Sequence, residues 1–596
     1  MTDLPGRRPA NLPGWRALPA WLRWVVAAGV LALLLLVLGS ELNPYLLRLA
    51  ILIALYACLA VGYNLVITEA GQFHLGFVAY FAVGAYAVAI PTTHFGWPFL
   101  PALALSVATV IAFSAVLGVL LLRFRGDYLS VVSLAAAEIL RLVLANWRGL
   151  TGGYQGLPGV PPPELFGRAF FEQQWYLYLA GLLAFLTVLV VASMGAGGAG
   201  LAWRAIRQNE RAALSVGLQV GLYKQLSFQI AGIFAGLAGG IYASYQTIVD
   251  PSLAAIDGSI LLLTIVILGG GTLVGILAAS AVLIALPEAT RVFDEYRMLF
   301  LGLLFVVLMN WRPDGFGRQP RPLFTAADGG APVPPRARGD VVPGRPLLGV
   351  EGLSRRFGGL KALDDVSLSV RDGEILGIIG PNGAGKTTLF NLVAGTFRPS
   401  AGQVSFAGTA VTGLSVERHS HLGIARTFQT IELCPGLTCL ENVLLPRLAR
   451  RPALALPFGR RGATRDAIAE ALGALAFVGL GARADERAAA LPYGDRRRLE
   501  IARALAAEPR LLLLDEPAAG MNQTEAQALV QTIRRIRDLG ITVVLIEHNV
   551  RLVREASDRI VVLASGAVIA DERPEAVLSS PRVIEAYLGK GADAAH

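Results

Sequence analysis

The feature that constrains this chain most is the succession of long apolar runs in its first half. The segment WLRWVVAAGVLALLLLVLG (Trp21–Gly39) has the length of a bilayer span. Further runs follow at roughly 45–68, 75–93, 98–122, 128–147, 174–194, 225–245, 258–286 and 297–311. Backbone in hydrocarbon must satisfy its own hydrogen bonds, so the predicted form of these runs is helical. They stop at Trp311, and residues 346–590 read like an ordinary soluble domain. The overall 54% hydrophobic and 16% charged content is therefore an average of two unlike halves; soluble domains carry about 25% charge. A chain of 596 residues also exceeds what one core can hold.

Charge sets the expected topology. Arg7, Arg8 and Arg16 precede the first run, which places the N-terminus on the cytoplasmic side. A cleaved signal peptide would need a small-residue site leading to a soluble chain, and here another span follows. Arg123 and Arg125 mark one cytoplasmic end, and Arg204, Arg207, Arg211 and Lys224 another. The loop 148–173, mixed in charge and rich in proline, reads as external. The run 225–245 then ends outside, near Asp250 and Asp257; if the soluble half is cytoplasmic, the last run ends inside at Trp311, so the run 258–286 must return the chain to the outside. It is too long for one span and too short for two, and it contains LGGGTLVG (Leu268–Gly275). Two half-spans broken at Gly269–Gly271 are predicted, covered by protein or water; a single tilted helix is the alternative.

Ionisable groups in apolar runs are candidate sites. Glu138 and Arg141 are spaced to pair on one helix face; a buried structural pair is the plainer reading, a substrate contact the sharper one. Glu69 and His74 flank AGQFHLG and read as a polar turn. In GLAWRAIRQNERAALSVGL (Gly200–Leu218), Trp203, Ile206, Ala213 and Val216 form an apolar face, opposite Arg204, Arg207, Asn209 and Glu210. Such a helix either lies on the membrane or docks into a soluble domain.

Residues 312–345 are rich in Pro, Gly and Ala without hydrophobic periodicity, and read as an extended, mobile tether. Beyond it, the strand-like GEILGIIG runs into GPNGAGKTT (Gly380–Thr388), a G-x-x-x-x-G-K-T loop between a strand and a helix. The backbone of Asn382, Gly383, Ala384 and Gly385 is expected to wrap a phosphate chain at a helix N-terminus. Lys386 is expected to reach the β/γ-phosphates, with Thr388 beside it and the Thr387 hydroxyl on Mg²⁺. RLLLLDEP (Arg510–Pro517) is an apolar run ending in Asp515, suited to the metal, and Glu516, suited to activating water. ITVVLIEHN ends at His548, placed to contact the γ-phosphate. The net charge of +9 fits lipid-facing loops, and no aromatic-interleaved basic patch points to nucleic acid. Cys58, Cys434 and Cys439 have no metal-ligand spacing; the last two are expected to be reduced and structural.

Together these motifs resemble the ATPase domain of ABC transporters over about Leu347–Gly589. The resemblance adds Gln429 in ARTFQ as an ATP and Mg²⁺ contact, the D-loop-like AAGMN (Ala518–Asn522), and a signature at Leu491–Asp495. It also makes Phe357 the aromatic that stacks on adenine. YGDRRRLEIARAL, DEPAAGMN, LIEHNV and VIEAYLGK resemble the first ATPase of branched-chain amino acid (Liv-type) importers. AGQFHLGFVAYFAVGAYAVA, EILRLVLANWRGLTGGYQGLPG, RAIRQNERAALSVGL and AGIFAGLAGGIYASY resemble a permease of the same system. The expected fold is an α-helical polytopic membrane domain followed by a cytoplasmic α/β P-loop ABC ATPase domain. The expected boundaries are 1–20 for a cytoplasmic N-terminal segment, 21–311 for the permease, 312–345 for the linker, 346–591 for the ATPase and 592–596 for a tail.

The resemblance implies ATP-driven import of branched-chain or other hydrophobic amino acids across a bacterial inner (plasma) membrane, with ATP and Mg²⁺. The coupling helix lies within Arg204–Leu218, and Pro492, Tyr493, Gly494 and Asp495 face ATP held by another ATPase domain. Implied partners are a second permease subunit, a second ATPase subunit and an external solute-binding protein. Other cargo, such as urea, short amides or other amino acids, fits the same class. An ABC exporter or a membrane-tethered non-transport ATPase fits the short, glycine-broken spans poorly. The signature departs from the general Leu-Ser-Gly-Gly-Gln: Pro492 brings neither hydroxyl nor N–H. Arg496–Arg498 are expected to face acidic partners or solvent, and Asp495 to cap the helix.

Overall fold

The computed structural model describes residues 20–289 (apart from 125 and 166–167), short helical pieces between 302 and 310, and residues 322–451 and 461–588. Arg7, Arg8, Arg16, Arg125, most of the run 297–311, the linker residues 312–321 and the tail 592–596 lie outside the described residues. The chain divides into two units: residues 1–193 with 224–319, and residues 194–223 with 320–596.

The first unit is helical. Its helices are α1 (Ala20–Glu41), α2 (Pro44–Asn64), α3 (Val78–Phe95), α4 (Phe99–Leu121), α5 (Asp127–Asn146), α6 (Arg148–Thr151) and α7 (Gln173–Gly195). After the segment that belongs to the second unit come α10 (Val220–Gln246), α11 (Ile256–Leu268) and α12 (Leu273–Ala289). Among the described residues, six helices are long and apolar enough to cross a membrane. The spans formed by α2, α3 and α10 are mostly buried, whereas α4, α5 and α7 leave most of their surface open. The inner helices approach closely through small residues: a Cβ on Gly84 of α3 would lie 2.3 Å from the Gly236 Cα of α10. The predicted break in 258–286 is present. Helix α11 ends at Leu268, Gly270 and Gly271 adopt φ of 59° and 69°, and α12 begins at Leu273. Left-handed backbone of that kind is open to glycine at no steric cost. Two-residue strands fix the loops at one end: β1 (Leu157–Pro158) pairs with β4 (Ile248–Val249), and β2 (Glu164–Leu165) with β3 (Arg168–Ala169).

The 65–77 region is a short π-helix (Leu65–Glu69) followed by an irregular turn, in which Gln72 and His74 are buried while Gly71 and Phe73 are exposed. His74 is fully buried among Tyr80, Phe77 and Phe228, with its Nε2 3.4 Å from the Tyr80 hydroxyl.

The second unit holds a six-stranded sheet in the order β10-β11-β12-β7-β13-β14, and an antiparallel sheet in the order β6-β5-β8-β9. The central strands are β7 (Ile375–Ile379), β11 (Leu511–Asp515) and β12 (Thr542–Ile546), each buried along its whole length. Such continuous apolar runs suit parallel strands covered on both faces. They pair in parallel, flanked by β10 (Ile424–Arg426), β13 (Arg559–Ala564) and the antiparallel β14 (Ala567–Glu572). Register places Asp515 beside Ile546, and Ile546 beside Ile378, so three strand ends converge. The second sheet comprises β5 (Pro346–Phe357), β6 (Leu360–Arg371), β8 (Ala401–Phe406) and β9 (Thr409–Ala410). A continuous core joins the two sheets through Leu348, Leu363, Phe390, Leu513 and Val544.

The described part of the linker, 322–345, is extended but is not a free tether. The Leu323 N–H donates to Glu441 Oε1 (2.6 Å), Ala326 N–H to Asp485 (2.8 Å), Val333 N–H to the Ala469 carbonyl (2.9 Å) and Arg338 N–H to the Leu539 carbonyl (2.8 Å). The Arg338 side chain adds bonds to the Gly540 carbonyl and Asp372. Absence of periodicity in a sequence marks the absence of helix and strand; it does not exclude a strap held by its own backbone groups.

Candidate nucleotide site and coupling groove

Strand β7 feeds the loop Gly380–Gly385, and helix α13 (Lys386–Val393) starts from it. Gly385 has φ of 98°, and an added Cβ would meet the Ala362 carbonyl oxygen at 2.6 Å, so this turn requires glycine. Asn382, Gly383 and Thr387 are exposed, Thr388 is half-buried, and Ala384 and Lys386 are buried. Lys386 Nζ donates to the carbonyls of Gly380 (2.6 Å) and Pro381 (3.0 Å). Burial lowers its pKa, and the charges of Glu516 and Asp515 oppose that shift. The ammonium thus rests on its own loop, beside two carboxylates.

Asp515 is fully buried at the end of β11. Its Oδ2 accepts from Arg426 Nη2 (3.1 Å), while its Oδ1 has no hydrogen-bond partner among the described residues. Burial raises this carboxyl's pKa, and Arg426 holds it down. A buried acceptor left without a donor is costly unless water or a cation completes it, so the residues present fit a hydrated Mg²⁺ ion. Glu516 follows with φ of 46°. A non-glycine residue in that region costs on the order of 1–3 kcal/mol and marks a position the surroundings enforce. Here the Glu516 N–H donates to the Ile546 carbonyl (2.9 Å). Its carboxylate meets His548 Nε2 at 2.7 Å and accepts from Gln429 Nε2 at 3.1 Å. The structure therefore brings Gln429, Glu516 and His548 together around one exposed point.

The neighbouring Glu547 is buried, with its pKa raised by desolvation; it accepts from the N–H groups of Ala518 (2.7 Å) and His548 (3.2 Å). Phe357 stands at the end of β5, exposed, edge-on to Phe397 and stacked under the Arg355 guanidinium.

The signature residues stand apart from this cluster. Helix α14 (Tyr493–Ala506) begins directly after Pro492, its N-cap. Asp495 is not the cap; it sits in the first turn and pairs with Arg483 (2.5 Å). Among the described residues, no hydrogen bond or ion pair joins Pro492, Tyr493, Gly494 or Asp495 to the phosphate loop.

The three arginines that follow do not all face solvent. Arg496 donates to the carbonyls of Leu491 and Ala489, closing the turn behind it. Arg497 is completely buried. It donates to the carbonyls of Phe428, Gln429 (2.8 Å) and Glu516 (3.2 Å), and to Glu500 Oε2 (2.9 Å). Glu500, also fully buried, accepts from the N–H groups of Phe428 (3.2 Å) and Glu432 (3.4 Å). Burial pushes the Glu500 carboxyl pKa up, and Arg503 and Arg497 oppose it. Sequence reasoning missed Arg426, Arg497, Glu500 and Glu547. One signal was present: Arg497, Glu500 and Arg503 recur at three-residue spacing beside Ile501 and Ala504, on the apolar face of the helix.

The segment Gly200–Leu218 packs with the second unit. It is two helices, not one: α8 (Gly198–Gln208) and α9 (Glu210–Ser215), broken at the extended residue Asn209. Trp203, Ile206, Ala213 and Val216 are all buried. Asn209 caps α9 through its Oδ1, and its Nδ2 donates to Glu432 Oε2 (2.5 Å) and the Leu433 carbonyl (3.3 Å). Gln208 Oε1 accepts from the Gly436 N–H (2.7 Å), and Arg211 lies 3.9 Å from Glu432. Cys434 is buried and free, its Sγ 3.7 Å from the Ala205 carbonyl. Arg204, Arg207 and Glu210 also take part in contacts. The groove runs along residues 432–436, just past Gln429.

A strand-loop-helix phosphate cradle, an acidic strand end, and a glutamate held between glutamine and histidine define the ATP-hydrolysing cassette of an ABC transporter. Comparison extends this to the whole chain. The permease component family of branched-chain amino acid transport systems matches residues 45–309, and the ABC transporter family matches residues 363–519. The high-affinity branched-chain amino acid transport ATP-binding protein LivG of Salmonella typhimurium is 42% identical over 258 residues, 41% of this chain and 99% of that protein. The corresponding permease protein LivM of Escherichia coli K12 is 34% identical over 307 residues, 48% of this chain and 72% of that protein. A solved nucleotide-free ATP-binding cassette from an ABC transporter is 33% identical, with a TM-score of 0.38, and covers 41% of this chain and 100% of its own. The chain belongs to the branched-chain amino acid ABC transporter family, with a permease and an ATPase in one polypeptide.

Proposed function

We propose that this protein imports branched-chain or other hydrophobic amino acids at the expense of ATP, as one permease-plus-ATPase subunit of a larger importer in a bacterial inner membrane. The supporting observation is the run of contacts from Asn209 through Glu432 to the loop whose Gln429 holds Glu516. A change at that loop alters the grip on the residue that activates water.

In this reading, Glu516 polarises the water that attacks the γ-phosphorus as the bond to ADP breaks. Lys386 leaves its loop carbonyls for the β/γ-phosphates, and His548 contacts the γ-phosphate. Thr387, Gln429 and Asp515 would hold Mg²⁺, which neutralises phosphate charge when bound. The backbone of Asn382–Thr388 cradles the phosphates, and Phe357 stacks on adenine. Pro492, Tyr493, Gly494 and Asp495 complete the ATP site of a second ATPase domain. One such chain thus needs a second ATPase and a second permease, with an external solute-binding protein delivering the cargo. Arg204, Arg207, Asn209 and Glu210 belong to the coupling element, and the domain limits are 21–311 and 346–591.

The test is ATP hydrolysis by the reconstituted complex with its binding protein. Leucine, isoleucine or valine is expected to raise turnover several-fold. Stimulation by urea or short amides alone would overturn the substrate assignment.

A further inference from the structure

We propose that the open cavity around Arg141, Glu138 and Asp250 in the permease unit binds the charged head group of a zwitterionic α-amino acid. This rests on the import reading and places the cargo on the permease itself. The cavity has a volume of about 610 Å³ and is lined by Leu134, Glu138, Arg141, Tyr154, Asp250 and Ile256, among others. It lies where α5 and α10 end and α11 begins.

The first argument is electrostatic. Glu138 and Arg141 lie within α5, an apolar helix of span length. Arg141 is roughly 7–8 Å short of the helix end, at ~1.5 Å per residue. The pair is real and bidentate: Nε to Oε2 at 2.8 Å, Nη2 to Oε1 at 2.6 Å. Yet it is not buried, with side chains 26% and 47% exposed. An ionised pair cannot be left facing hydrocarbon; it must face a partner or a water-filled path. The cavity is that path.

The second argument is the count of groups. A guanidinium carries five N–H donors; Glu138 takes one from Nε and one from Nη2, and Tyr154 in the cavity wall takes a third. The rest can receive a carboxylate, the ligand geometry for which arginine is suited. Asp250 supplies a second anion for an ammonium group; its Oδ1 also accepts the Ser252 N–H (2.8 Å). Leu134, Pro251 and Ile256 supply an apolar wall for a hydrocarbon side chain. Urea or a short amide has no net charge on any atom and has no need of this set.

The experiment labels Ser252→Cys at the cavity rim with a membrane-impermeant thiol reagent, in the complete complex without binding protein. The native cysteines are buried and do not compete. Millimolar leucine is expected to slow labelling. Leucinamide, lacking the carboxylate, and 4-methylpentanoate, lacking the amine, are expected not to. Arg141→Gln is expected to raise the half-protecting leucine concentration at least tenfold, and Arg141→Lys, which tests for simple misfolding, to recover part of it. Leucine uptake in the presence of binding protein is measured on the same preparation. Labelling indifferent to leucine in a complex that imports leucine overturns the site and leaves the import reading standing. Protection without leucine import overturns the import reading alone, and absence of both overturns both. Equal protection by leucinamide overturns the role of Arg141.

Discussion

Each unit carries a helical arginine–glutamate pair at three-residue spacing, and the two could hardly be set more differently. Arg497 and Glu500 in the ATPase are sealed, with no exposed surface, and their remaining groups bond to backbone around Gln429 and Glu516. Glu138 and Arg141 in the permease bond each other, Arg141 also bonds Tyr154, and the pair faces an open cavity. A closed pair keeps its bonds within its own chain and can only hold structure in place. An open pair retains donors for something that arrives. Spacing makes the pair; the surroundings decide what it is for.

The largest effect is expected at the residue the sealed pair supports. Glu516→Gln should lower ATP turnover by about 10²–10⁴-fold, the range for a positioned general base. Near-normal turnover would leave Arg497 with nothing catalytic to hold. Next, Arg497→Met should destabilise the ATPase unit by about 3–5 kcal/mol, because it strands a buried charge. The triple variant Arg497→Met, Glu500→Leu and Arg503→Met, which also removes the buried arginine that pairs with Glu500, should recover much of that stability yet keep a low turnover. Full recovery of turnover would reduce the pair to packing. On the same helix, Pro492→Ser restores a hydroxyl and an N–H, and should tighten ATP binding by about 1–3 kcal/mol at the site that uses it, as charged hydrogen bonds do. Unchanged affinity and turnover would refute that reading of Pro492. Smallest of all, Arg141→Gln should leave the unfolding transition nearly unchanged, as loss of an exposed pair does. A loss like that of Arg497→Met would erase the contrast between the two.

The nucleotide loop and the acidic strand were legible because they are local. Uninterrupted apolar runs end in Gly380, Asp515 and His548, and parallel pairing alone brings those ends together. The break at Gly269–Gly271 was legible for the same reason, since only the chain's own glycines decide it. Spacing also predicted the Glu138–Arg141 pair but not its exposure, which depends on Tyr154 and Asp250 from other elements. An acidic partner or solvent is expected for Arg497 from its sequence; it has the acidic partner, Glu500, but charge and first-turn position say nothing of its burial or of the carbonyls that converge on it from residues 428, 429 and 516. The linker was misread likewise: its bonds to Glu441, Asp485 and Ala469 are tertiary. Asn209 was singled out as polar within one helix, whereas its side chain caps the second of two and reaches Glu432.

If the groove at Glu432 passes the state of the permease to Glu516, the Asn209–Glu432 hydrogen bond is the place to interrupt it. Asn209→Asp replaces a hydrogen bond with two facing carboxylates, and the ratio of leucine-stimulated to unstimulated ATP turnover measures the consequence in the complete complex with its binding protein. This ratio is expected to fall toward one. A ratio equal to that of the unaltered protein would contradict it.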